Sequence, residues 1–151
     1  MTATPSGPDD SPGFLLWRAT LRWQRAVTSA LKPHELTHVQ FVLLASTWWF
    51  EGEGDVPTQR RLADHAQTDV MMTSQVLRAL ESRGLVTREP DPRDTRARRV
   101  RLTAAGRRRV AQALGAVEGV DGDFFAAHPA GELLPTLRAL AGEREGTLVG
   151  S

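Results

Sequence analysis

Two prolines one residue apart, Pro90 and Pro92, stand between the short runs "LVTRE" and "RRVRLT" in a chain otherwise dominated by helical periodicity. Proline has no N–H and clashes with the preceding turn, so no helix runs through this stretch. The two flanking runs read as the strands of a β-hairpin joined by a long loop, "PDPRDTRA". Charge also collects here. Arg88 to Thr103 holds six arginines and three carboxylates, and Thr87 to Arg109 carries nine arginines against only Glu89, Asp91 and Asp94, a local balance of +6. The formal net charge of the whole chain is +1, so the remainder is acidic. A compact cationic patch on an acidic body is an electrostatic footprint for phosphate or another polyanion. A solvated charge run is the alternative, and charge alone does not separate the two.

The segments around the hairpin narrow the choice. A helix is expected from Phe14 to Leu31, with Leu16, Trp23, Val27, Ala30 and Leu31 on one face and Arg18, Arg22, Arg25 and Ser29 opposite. A second, roughly Pro33 to Trp49, is apolar nearly all round and should be the central buried helix, ended by the turn "EGEGD". Thr58 is positioned to cap a short helix, "QRRLADHA". After the turn "QTD", a further helix runs from about Val70 to Arg83, with Gly84 as the glycine that ends it. A short helix, a tight turn and a second helix of this length form a helix-turn-helix. Beyond the hairpin, Thr103 can cap "AAGRRRVAQALGAVEGV", and a last helix near Gly131 to Ala141 has Leu133, Leu134, Leu137 and Leu140 as its apolar stripe.

Composition excludes several classes of function. At 151 residues, with 40% hydrophobic and 25% charged residues, the chain has the size and balance of one globular domain. It has no cysteine, so disulfides, thiolate zinc sites and thiol-based redox sensing are ruled out. Residues 1–13 read as a disordered leader rather than a signal peptide, 14–142 as the domain and 143–151 as a flexible tail. No apolar run approaches the roughly 20 residues of a membrane span, and a cytoplasmic protein is expected. His34 and His38 have i,i+4 spacing, but His34 adjoins Pro33 and no carboxylate occupies a matching third position. The turn "EGEGD" lacks calcium-loop spacing. With no nucleophile–base pattern and no phosphate-binding glycine loop, neither an enzyme nor a cofactor is expected.

The stretch "LRALESRGLVTREPDPRDTRARRVRLTAAG", Leu77 to Gly106, contains a Leu-Glu pair, Gly-Leu-Val, Asp-x-Arg and Leu-Thr-x-x-Gly in order, and "LTHVQFVLL" adds Leu-Thr-x-x-Gln. On these motifs the chain resembles the MarR family of winged helix-turn-helix transcription regulators, from roughly Phe14 to Ala141. The resemblance implies a mainly α fold with a small β-hairpin wing and N- and C-terminal dimerisation helices. Residues 14–32 and 104–142 would pair two copies, and 35–102 would form the DNA-binding lobe. It further implies a homodimer on a pseudo-palindromic operator in double-stranded DNA, a repressor relieved by a small-molecule effector.

Within that frame, Thr73, Ser74, Gln75 and Arg78 are the candidates to meet DNA from the second helix of the motif. Gln pairs with adenine, Arg with guanine, and Ser or Thr with several edges or a phosphate. Met71 and Met72 are expected to pack against the turn, although one of them could touch a thymine methyl. Asp94 and Arg96 match the Asp-x-Arg signature, with Arg96 at the tip directed at the minor groove and Asp94 orienting arginine side chains or the loop backbone. Arg93 is a secondary DNA candidate, Arg98 and Arg99 would meet phosphate or solvent, and Arg88 and Arg101 would face outward. Trp17, Trp23, His38, Phe41, Trp48 and Trp49 are candidates for an effector pocket between the two parts, though aromatics at helical spacing also build cores. Two other readings stand beside this one: a DNA-binding regulator without an effector, and a small-molecule-binding helical protein whose basic hairpin is incidental.

Overall fold

The structure, a computed structural model, describes residues 7–143. The first six residues of the expected leader (1–6) and all but the first residue of the expected tail (144–151) lie outside the described residues. Pro8–Asp10 forms a short 3-10 turn, and helix α1 (Pro12–Leu31) starts two residues before Phe14, so the ordered chain reaches into the segment expected to be leader. The cause is local. Ser11 accepts a hydrogen bond from the Phe14 N–H, and Pro12 sits in the first turn, where its missing N–H costs nothing.

Helix α2 (His38–Gly52) begins later than the expected Pro33. Lys32–His34 makes a 3-10 turn, Glu35 turns the backbone into the left-handed region at φ 54°, and Thr37 and Gln40 then form a reciprocal capping box. Helix α3 (Gln59–Ala66) is capped by Thr58, and α4 (Val70–Ser82) by Asp69, whose carboxylate accepts from the Met72 N–H at 2.8 Å. Gly84 follows α4 at φ +72°, the left-handed position that glycine occupies without strain. Strands β1 (Val86–Pro90) and β2 (Arg98–Leu102) pair antiparallel with Arg88 opposite Val100. The Val100 N–H donates to the Pro57 carbonyl at 2.9 Å and Thr58 bridges to Arg99, so the approach to α3 adds a third short edge that the sequence did not announce. Helices α5 (Ala104–Phe124) and α6 (Ala130–Leu140) complete the order.

One core joins most of these elements. Leu31 of α1, Leu43 and Leu44 of α2, Leu62 of α3, Leu77 and Leu80 of α4, Val86 and Val100 of the hairpin and Val110 of α5 are fully buried. As expected, α2 runs through the middle, with Phe41, Leu43, Leu44, Ser46, Thr47 and Phe50 all inside. Helix α1 lies along α5. By contrast α6 contributes nothing to the core, and its leucines are exposed or half-buried. Among the described residues no helix is long and apolar enough to cross a membrane.

The junction between hairpin and α5 accounts for the Leu-Thr-x-x-Gly pattern. The Thr103 hydroxyl donates to the Gly84 carbonyl at 2.6 Å and accepts from the Gly106 N–H at 3.0 Å. Thr103 N–H donates to the Leu85 carbonyl at 3.1 Å. A Cβ on residue 106 would lie 1.9 Å from that same Leu85 oxygen, so only glycine lets the first turn of α5 approach so closely.

Candidate nucleic-acid interface

Helix α4 presents two faces set by its 100° step per residue. Met71, Ser74, Gln75, Arg78 and Ser82 fall within about 100° of one another and form the outer ridge. Ser74 is half-buried and the other four are exposed. Thr73 does not join them. It lies four and seven residues before Leu77 and Leu80 on the inner face and is 0% exposed. Its hydroxyl donates to the Asp69 carbonyl at 2.7 Å and is 2.7 Å from the Thr68 hydroxyl, whose proton therefore bridges the two oxygens. Thr73 locks the turn between α3 and α4 and is out of reach of DNA, a correction to its expected role. Met71 and Met72 also depart from expectation, since they point outward instead of packing against the turn.

The hairpin tip is held by its own acidic residues. The Asp91 N–H donates to the Ala97 carbonyl and the Ala97 N–H to the Asp94 carbonyl, each at 2.9 Å. The side chain of Asp91 accepts from the Arg93 N–H and that of Asp94 from the Arg96 N–H, each at 3.1 Å. These are two successive Asx turns. Of the two roles open to Asp94, the loop backbone is the one it performs here.

The six arginines divide into two sets of three. Arg88 is bound on several sides: Glu81 at 3.0 Å, Gln59 at 2.9 Å, and a backbone bond from its N–H to Glu81 at 3.2 Å. Arg99 and Arg101 share one oxygen of Glu89 at 2.8 and 2.9 Å. Arg88 and Arg99 are half-buried, so neither faces freely outward. Arg93, Arg96 and Arg98 are exposed, and among the described residues none of them has an ion-paired carboxylate. Hydrogen bonding to Arg88 holds the Glu81 carboxyl below its ordinary range, and Arg101 does the same for Glu89. Both acids are therefore held by the framework arginines, and neither forms an ion pair with Arg93, Arg96 or Arg98. Glu51 at the end of α2 was not singled out in the sequence, yet it fixes the hairpin's exit. It accepts from the Leu102 N–H at 3.0 Å and from Arg107 at 2.7 Å.

The six residues expected to build an effector pocket do not converge. Phe41 is buried in the core. Trp48 packs partly against the same core. Trp49 lies 11 residues beyond His38, about 16 Å along α2, and stacks on His65 of α3 with ring centres 5.2 Å apart. Trp17 is exposed on α1. Only Trp23 and His38 meet, edge to face at 5.1 Å, and the Trp23 indole N–H donates to Asp121 at 2.8 Å. Burial lowers the His38 pKa, and the charge of Asp121 opposes that shift. Beside this contact runs an apolar groove of about 690 Å³ between α1, the end of α5 and α6, lined by Leu16, Trp23, Asp121, Phe125, His128 and Leu133 among others.

Comparison with known proteins agrees with this geometry. The MarR family profile matches residues 36–97, from the approach to α2 to the hairpin tip. YdcH of Bacillus subtilis, described as an uncharacterized HTH-type transcriptional regulator, is 49% identical over 122 residues, 81% of this chain and 83% of its own. The chain belongs to the MarR family. A MarR-family transcriptional regulator from Rhodococcus sp. RHA1 aligns with a TM-score of 0.80 at 29% identity, covering 90% of this chain and 96% of the other. CouR from Rhodococcus jostii RHA1, solved bound to p-coumaroyl-CoA, aligns with a TM-score of 0.79 at 26% identity over 96% of this chain and 99% of its own. This MarR-family member is thus a DNA-binding transcription regulator, with α3 and α4 as its helix-turn-helix and β1–β2 as its wing.

Proposed function

We propose that this regulator is a homodimeric repressor on a pseudo-palindromic operator, with α4 in the major groove, the wing tip against the adjacent minor groove, and a small molecule relieving repression. The division of the arginines carries the reading. Arg93 and Arg96 in the loop and Arg98 at the start of β2 are exposed and have no ion pair among the described residues, while Arg88, Arg99 and Arg101 are ion-paired to Glu81 and Glu89. Unpaired cations crowded at a loop tip suit the closely spaced phosphates flanking a minor groove.

Dimerisation is supported by apolar surface left uncovered at the chain ends. Leu16 on α1 and Leu134, Leu137 and Leu140 on α6 are exposed, whereas Val27 already belongs to the intrachain core. Pairing α1, α5 and α6 across a two-fold axis would cover those leucines, leaving α2 through β2 as the DNA-binding lobe. To enter successive major grooves on one face, the two α4 helices must sit about 34 Å apart, with half-site centres about 10 bp apart. A dimer of that span on a promoter excludes polymerase, which favours repression. For the effector, CouR's bound acyl-CoA directs attention to the groove beside Trp23, His38 and Asp121, which shares Leu16, Leu134 and Leu137 with the proposed dimer seam, so a ligand there would bear on the pairing of the two copies.

Footprinting on the DNA flanking the protein's own coding region tests the proposal. Protection should have dyad symmetry with that spacing. A stable monomer protecting a single half-site, or binding that any competitor DNA removes equally, would overturn it.

A further inference from the structure

The large apolar side chains exposed among the described residues fall into four places: the start of α1, the leucines of α6, Trp49, and Val70–Met72. Those on α1 and α6 have a partner in the proposed dimer, and Trp49 stacks on His65. Val70–Met72 have none. These three consecutive residues open α4 and are 51%, 75% and 38% exposed. Met71 lies four residues before Gln75 and seven before Arg78, so the three project from one ridge. We infer that Met71 reads a thymine methyl group in the operator, as the apolar member of that ridge.

Several observations select this occupant. Arg78 lies on the ridge, and the hairpin that packs against α4 through β1 exposes Arg93, Arg96 and Arg98, so the cationic surface of this region is complementary to a polyanion. A protein or lipid partner for an apolar patch would leave those charges unmatched. Within the major groove the one apolar feature on a base edge is the C5-methyl of thymine, and apolar side chains pair with it. The start of α4 is the half that reaches base edges when such a helix enters the groove. A thioether on an unbranched stem is polarisable and adapts its shape to a single methyl. Met71 is 75% exposed, so its side chain is not taken up by the chain's own core. The expected base preference is mixed: thymine at the Met71 position, next to positions set by Gln75 and Arg78.

The inference rests on α4 being the element that reads the major groove, and the test separates the two. A preferred duplex is first selected from random DNA with the wild-type protein. Each thymine is then replaced by deoxyuridine, which removes only the methyl, and the affinity is remeasured. One thymine in each half-site should lose about fourfold per methyl, close to the worth of one buried methylene. Met71→Ala, at an exposed site where alanine favours the helix, should abolish that sensitivity at that position only. Met72→Ala should retain it. If no thymine is sensitive, or if Met71→Ala leaves the sensitivity unchanged, the inference is wrong. Should Gln75→Ala and Arg78→Ala also return the wild-type consensus, α4 is not the reader and the broader proposal fails with it.

Discussion

Replacing Gly106 by alanine adds one methyl group at the point where α5 meets the hairpin, and the structure sets its cost. The new Cβ would lie 1.9 Å from the Leu85 carbonyl oxygen, whereas close C···O contacts are about 3.3 Å, so the two must separate by more than 1 Å. The oxygen cannot move freely, because it accepts the Thr103 N–H at 3.1 Å and belongs to a buried residue. Forcing a methyl into packed structure costs roughly 1–3 kcal/mol, and weakening the Thr103 bond adds about 1 kcal/mol. Alanine's better helix propensity returns at most about 1 kcal/mol. A net loss of about 1–3 kcal/mol remains, a melting temperature roughly 3–10 °C lower for a chain of this size. Gly115→Ala is the internal control: the same helix and the same change, with nothing within 4 Å of the added Cβ. That variant should match or slightly exceed the wild type. Thermal melts at one fixed protein concentration, necessary if the protein associates, compare the three. A Gly106→Ala protein that melts with Gly115→Ala would refute the close-approach argument.

Arg96→Ala should reduce the slope of log affinity against log salt by up to about one unit per protomer, while Arg99→Ala, whose charge is met by Glu89, should leave that slope unchanged; equal effects would erase the division of the arginines. Deleting the residues after His128 should convert a dimer to monomer or aggregate in sedimentation at micromolar concentration, because the exposed leucines of α6 are lost. The carboxyls of Glu81 and Glu89 are depressed by Arg88 and Arg101, so the stability they contribute is fully present above the ordinary glutamate range and is lost as pH falls through their lowered values. In acid, amide exchange in β1 and β2 should therefore rise before exchange in α2, and Glu81→Gln should remove part of that pH dependence.

The elements legible in the sequence were those whose signals are contiguous. Thr58, Gly84 and Thr103 each mark an end by a cap or turn rule acting over three or four residues, and each holds. The start of α2 lies at His38 and not at Pro33 because Thr37 and Gln40 form a capping box that a proline signal alone does not reveal. Thr73 was judged by its polarity, whereas its angle on the helix places it with Leu77 and Leu80. The pocket expected from Trp17 and Trp23 of α1 and His38, Phe41, Trp48 and Trp49 of α2 does not assemble as one wall, because a helix fans such residues around its axis and along its length. Hardest to see was the sorting of the arginines. The partners that hold Arg88 are Gln59 of α3 and Glu81 of α4, 29 and 7 residues away on different elements. Glu89 alone was within reach, being directly across the hairpin from Arg99.

Arg88 clasps Gln59 of α3 and Glu81 of α4 at the same time, and the Pro57 carbonyl ties the chain before α3 to β2. The consequence concerns how this family's operator preferences can be exchanged. A chimera that receives only a relative's α4 inherits a new Glu81 equivalent but keeps the old strand and the old α3 to receive it. Its new helix would then be aimed by a foreign clasp. Grafts spanning residues 57–102 transfer the clasp intact, so they should carry the donor's site preference where single-helix grafts lose it.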